Sequence, residues 1–146
     1  MKFKLTIDTN QEELIEAIVH SPSELTEQIE NLVLSYTGQS RITGFSDDGV
    51  AQLEFSEIEC ITIMERKIIA IDTKGEKYRI NRRLCDLENV IPSYFVRINK
   101  SALANTNRIL RFDTVFSGAV DAVFKCGYRE YVSRRCFAEI KRRLDI

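Results

Sequence analysis

Two hydrophobic periodicities divide the chain. Before residue 40 the strongest pattern is helical. In "SPSELTEQIENLVLSYTG" the residues Leu25, Ile29, Leu32, Val33 and Tyr36 recur at steps of three and four and share one face. Ser21 can cap this helix, Pro22 suits its first turn, Glu24 completes a capping box, and Gly38 can end it. Ahead of it, "MKFKLTID" puts Phe3, Leu5 and Ile7 on one side at a period of two, which predicts a strand. "EELIEAIVHS" leans to helix, yet "EAIVHS" fits a second strand beside the first equally well.

From Arg41 the period shortens to two and turn residues break it at close intervals. "RITGF" and "VAQLEF" flank "SDDG", a hairpin signal. "CITIM" and "KIIAIDT" are separated only by Glu65-Arg66, and "KG" turns the chain into "EKYRI". A short helix follows in "RRLCDLENVI", with Leu84, Leu87 and Ile91 inward, and Pro92 stops its period. Phe95, Val96 and Ile98 read as a buried strand. "RILRFDTVF", the turn "SGA" and "VDAVFK" form another hairpin, and "CGYREYVS" leads into a last helix, "SRRCFAEIKRRL". Phe137, Ile140 and Leu144 make that helix's core stripe, and Ser133 can cap it.

Composition narrows the class. At 146 residues with 44% apolar side chains, the chain suits one cored domain with a small extension. It has neither a bilayer-length apolar run nor a signal-peptide pattern, so a cytoplasmic protein is expected. Cys60, Cys85, Cys126 and Cys136 lack C-x-x-C spacing and the sole histidine is His20, which argues against zinc. Cys60, Cys85 and Cys136 sit among apolar neighbours, as small core residues would.

The net charge of −1 conceals an asymmetry. Residues 1–59 hold 3 Lys+Arg against 12 Asp+Glu, and residues 60–146 hold 18 against 10. A balance of −9 is followed by one of +8, as in a basic module for a polyanion with an acidic extension. The string "FVRINKSALANTNRI" concentrates the chemistry. Lys and Arg neutralise phosphates, while Asn and Ser bond to backbone or base edges. Arg97 and Lys100 lie three apart around a strand end, where both can project into a groove. The last helix adds Arg134, Arg135, Lys141, Arg142 and Arg143.

The order of these segments resembles the LytTR family of bacterial DNA-binding domains. Phe95, Arg97, Ser101, Asn105 and Ile109 keep the family's register, as do Val132, Ser133, Arg134 and Arg135. "FSEIECITIMERKIIAIDTKGEKYRINRRLCDLENVIP" resembles its opening strands and short helix, so the likeness covers about residues 46–146. The chain departs at Asn99, where a histidine is common, and at Ala104, where valine is. Asn99 can still donate and accept.

The resemblance implies an α+β, mainly β, elongated fold of about ten short strands with short helices. It also implies duplex-DNA binding through loops and strand ends, as a transcription regulator without cofactor or small-molecule substrate. The expected division is an acidic strand-helix extension over 1–45 and the LytTR-type domain over 46–146. Arg66 and Lys67, the strand end at Lys100, and the last helix's start at Arg135 are the implied base readers. Arg97, Ser101, Asn105, Ser133 and Arg134 are the implied phosphate or loop-fixing residues, with Asn105 also readable as a structural turn residue, and Asn99 is left as a phosphate or base contact. Some 45 leading residues are too few for a phospho-receiver domain. Family resemblance further suggests repeated DNA sites, a membrane-bound inhibitor protein and a homodimer. The helix face of Leu25, Ile29 and Leu32 would serve such a partner, or instead cover the domain's own sheet.

Other classes fit less of the chain. No G-x-S-x-G, H-E-x-x-H or P-loop spacing occurs, and Asp47-Asp48 and Glu12-Glu13 read as turn and surface charges, so an enzyme is not expected. The alternatives are a protein-interaction module whose basic half docks an acidic partner, or an RNA binder.

Overall fold

A computed structural model describes residues 2–12, 14–36 and 40–145. The helix α1 (Glu24–Tyr36) precedes two antiparallel sheets. The larger has seven strands in the order β2-β1-β5-β4-β3-β7-β6. Their ranges are β1 (Arg41–Ser46), β2 (Gly49–Glu54), β3 (Ile58–Met64), β4 (Lys67–Asp72), β5 (Lys77–Ile80), β6 (Phe95–Asn99) and β7 (Ala102–Asn105). The smaller, ordered β10-β9-β8, comprises β8 (Ile109–Thr114), β9 (Val120–Phe124) and β10 (Arg129–Val132). α2 (Leu84–Glu88) links β5 to β6, and α3 (Arg134–Leu144) follows β10. The expected mainly β fold of ten short strands is therefore observed.

The strands β3, β7 and β6 have apolar side chains on both faces, which makes them the centre of the molecule. Ile58, Ile61, Phe95 and Leu103 pack with Leu84, Leu87 and Ile91 from α2 and its continuation. On the opposite face, Cys60, Val96, Ile98, Ala102 and Ala104 meet Ala122, Phe124 and Val132 of the small sheet and Ile140 of α3. Three facing alanines let the two sheets approach closely, and this explains β7. "ALAN" has poor strand propensity, but burial between layers selects small side chains there. The segment beginning at Phe95 is thus a hairpin of two strands, the second of which the sequence reading did not identify.

α3 begins where expected: Ser133 Oγ accepts from Cys136 N at 3.2 Å. Arg143 Nη2 donates to the Ser93 carbonyl at 2.7 Å, so the helix runs back along β6. Ile140 is buried as expected, whereas Leu144 is exposed near the helix end. Cys60 is buried, but Cys85 is exposed on α2, because Leu84 and Leu87 occupy that short helix's inner face.

The N-terminal expectations need correction. Phe3, Leu5 and Ile7 are exposed, and among the described residues before Glu24 no strand or helix forms. Alternation makes a strand only when a neighbour supplies hydrogen bonds. α1 starts after Ser23, not Ser21. Thr26 Oγ1 accepts from Ser23 N at 2.9 Å and donates to Ser23 O at 2.7 Å, giving the first turn a reciprocal clasp. The Tyr36 side chain and Gly38 fall outside the described residues. The division expected after residue 45 lies inside β1, whose residues 41–46 pair with β2 along their full length.

Candidate nucleic-acid interface

Strand register brings three separate segments to one end of the large sheet. β3 and β7 are antiparallel with Thr62 opposite Ala102, and Ile63 N donates to the Ser101 carbonyl at 2.9 Å. The β3–β4 turn at Glu65-Arg66 therefore lies beside the β6–β7 turn at Lys100-Ser101. Ser133 N donates to the Ile98 carbonyl at 2.9 Å, which joins the start of α3 to the same end. Ile80 pairs with Ile68, so Arg82 and Arg83 leave β5 there as well. Those two arginines were missed in sequence. Their signal was a basic pair directly after an apolar strand.

At this end Arg83 pairs with Asp86, while several other cations there have no acidic partner among the described residues. Arg41, Arg108, Arg111, Arg129 and Arg142 each contact a carboxylate, as does Arg97. Arg66, Lys67, Lys100, Arg134 and Arg135 are exposed, and none forms an ion pair among the described residues. Lys74, Lys77 and Lys125 elsewhere are likewise exposed and outside these ion pairs, but only where the three segments meet do unpaired cations from separate parts of the described chain converge, an arrangement suited to phosphate.

The β3–β4 turn presents its cations on a constrained backbone. Glu65 and Arg66 have φ of 50° and 66°, the left-handed pair required by a two-residue hairpin turn. Neither is glycine or asparagine, so the turn retains about 1–2 kcal/mol of steric cost per residue.

The other expected site residues hold the scaffold. Arg97 pairs with Glu88 of α2, and its Nη1 donates to the Lys100 carbonyl at 2.7 Å. Asn99, only 8% exposed, donates through Nδ2 to the Tyr131 carbonyl at 2.6 Å and to Glu130 Oε1 at 3.2 Å. Its Oδ1 accepts from Ser101 N at 2.7 Å, which closes the turn carrying Lys100. Asn105 is 1% exposed: Nδ2 donates to the Ile58 carbonyl at 3.0 Å and Oδ1 accepts from Asn107 N at 3.0 Å. With its amide used on both sides, Asn105 takes the structural turn role and leaves no group directed outward. Ser133 spends its hydroxyl on the helix cap, and Ser101 is half-buried between Asn99 and β3.

A polar cluster between the sheets extends toward the end opposite these cations. Glu59, fully buried at the β3 bulge, accepts from Arg108 Nε at 2.5 Å and from Cys126 N at 2.8 Å. The Glu59 bond raises the Arg108 guanidinium's pKa above its ordinary value. Tyr128 donates to Glu130 Oε2 at 2.6 Å; burial first, then that bond, pushes its phenol well up. Burial likewise raises the Cys60 thiol, which keeps it protonated and unreactive.

Comparison with known proteins agrees with this fold. Proteins from several Staphylococcus aureus strains, named HTH-type transcriptional regulators, are 28% identical over 148 residues, spanning 100% of this chain and 99% of theirs. Despite that name, the described helices here are separated by strands, so none forms a helix-turn-helix. A solved LytTr DNA-binding domain from Bacillus cereus superposes with a TM-score of 0.67 at 20% identity, covering 75% of this chain and all of that one. The family described as "LytTr DNA-binding domain" matches residues 48–145, and with two thirds of the molecule accounted for in this way, the chain belongs to the LytTR family of DNA-binding domains.

Proposed function

We propose that this protein is a transcription regulator that recognises specific duplex DNA sequences through loops and strand ends. Arg66 and Lys67, Lys100, and Arg135 act as the groups reaching base edges. Arg134 and the first backbone N–H groups of α3 hold phosphate. Arg97, Asn99 and Ser101 set the Lys100 turn. The observation that carries this reading is the concentration of exposed, unpaired cations at the one end where three chain segments meet. The β3–β4 and β6–β7 turns stand two strand spacings apart, about 10 Å, a separation comparable with the width of a DNA groove.

Selection of bound duplexes from a random pool tests it. Enrichment of a short motif, with Lys100→Ala losing about 1–3 kcal/mol of discrimination at one base pair, is the expected result. No enrichment, together with binding that vanishes at physiological salt, would leave only a polyanion patch.

Two copies on repeated DNA elements form part of the same proposal, with α1 as the contact between them. Leu25 and Leu32 on that helix are both exposed to solvent. Sedimentation of Leu32→Asp decides the point: a folded monomer supports the contact, and an unchanged association state removes it.

A further inference from the structure

We infer that Phe116 is a wedge that enters bound DNA at a single base step on the flank of the contact. The inference rests on the DNA-binding reading above and adds a residue to it. Phe116 is 100% exposed at the tip of the β8–β9 hairpin. A large apolar side chain wholly in water contributes nothing to this fold, since hydrophobic stabilisation scales with area removed from water.

Its position gives it a use. Thr114 pairs with Val120, and Val120 with Val132, so the tip lies beside the residue preceding Ser133. It therefore projects at the end of the molecule where α3 starts and the free cations gather. A groove lined by Gly118 and Ala119 on one side and Arg134 and Lys141 on the other joins the tip to α3. In strand order the tip stands outside α3, at the edge of the array, and this puts the wedge at one margin of the footprint.

The tip is also built for presentation. Val115 N donates to the Ala119 carbonyl at 2.8 Å and Gly118 N to the Val115 carbonyl at 3.2 Å, closing a tight loop that Gly118 permits at φ 76°. Residues 114–120 carry no charge. The carboxylates just behind them are occupied: Asp113 by Arg111 and Arg129, and Asp121 by Arg129. An uncharged apolar tip between neutralised acids and free cations can approach the duplex without repulsion. Apolar side chains in such settings partly unstack a base step and kink the helix, most readily at pyrimidine–purine steps.

The test uses the full chain and its selected duplex, with 2-aminopurine placed in turn at each adenine and bending read by end-to-end energy transfer. Wild type is expected to brighten one flanking position and to bend the DNA. Phe116→Ala should lose both and bind about tenfold more weakly, with an unchanged salt slope because no charge is removed. Phe116→Leu, still apolar, should retain part of the bend. A Phe116→Ala protein that binds and bends like wild type overturns the inference. So does one that changes only self-association, which would assign the tip to a protein contact. Lys100→Ala, run in parallel, separates the two readings. If it weakens binding while Phe116→Ala does not, the wedge alone is wrong. If the wild type prefers no duplex, both readings fall.

Discussion

Asn99 and Tyr131, 32 residues apart, are joined by a 2.6 Å hydrogen bond from the Asn99 side-chain amide to the Tyr131 carbonyl. This bond links the two sheets at the end where the free cations collect. It fixes the turn carrying Lys100 against the strand that delivers Arg134 and Arg135. Removing it should therefore affect binding without removing a contact to DNA. Asn99→Ala leaves the Ser101 N–H and the Tyr131 carbonyl without this partner, at a cost of about 1–3 kcal/mol in stability. Titrations of duplex across salt concentrations should show weaker binding with an unaltered slope. Unchanged binding by the destabilised variant would instead show that the turn keeps its shape without Asn99.

The Glu65-Arg66 turn predicts opposite effects on folding and binding. Glycine accepts the left-handed conformation that Arg66 holds at φ 66°. Arg66→Gly should raise unfolding free energy by about 1 kcal/mol in denaturant titrations while weakening DNA binding. Glu65→Asn, which also tolerates this conformation, should stabilise the fold and retain binding. A destabilised Arg66→Gly would show that the arginine side chain supports the hairpin itself.

The Glu59–Arg108 pair should respond asymmetrically. Glu59 is fully buried, whereas the Arg108 side chain is 28% exposed. Arg108→Ala strands a buried carboxylate and should cost about 3–5 kcal/mol. Glu59→Gln removes the charge but keeps an oxygen for the Cys126 N–H, and should cost less, about 1–3 kcal/mol. Equal losses in urea melts would mean that water reaches Glu59 once Arg108 is gone.

Tyr128 predicts alkaline sensitivity. Its phenol titrates well above the ordinary value of about 10 in the folded protein, through burial and its bond to Glu130. Its contribution is fully present below that ordinary value and is lost as pH rises from there toward the folded pKa. Thermal melts should show Tyr128→Phe less stable than wild type at pH 8, with the gap closing above about pH 10. A constant gap would mean that the phenol ionises alike in both states.

Much of this protein was legible locally. Asp47-Asp48, Glu65-Arg66 and the Lys74-Gly75 turn sit between alternating runs, and hairpins form at each. Leu84, Leu87 and Ile91 fall at helical spacing and are buried, and Ser133 caps the helix it precedes. The register from Phe95 to Ile109 and from Val132 to Arg135 was enough to place the chain in its family. These features depend on residues within a turn or two of one another, so sequence alone determines them.

Other features depended on distant partners. "ALAN" becomes a strand because two sheets leave room there only for small side chains, and Phe3, Leu5 and Ile7 remain outside any strand because no neighbour pairs with them. The candidate site divides in the same way. Sequence supplied a set of cations and amides, and only the fold sorted them. Arg97 meets Glu88, Asn99 meets Tyr131 and Asn105 meets Ile58, whereas Arg66, Lys67, Lys100, Arg134 and Arg135 stay exposed. A side chain's type fixes which bonds it can make. Whether a bond is made inward or left for a partner depends on which groups, tens of residues away, the packed sheets bring within 3 Å.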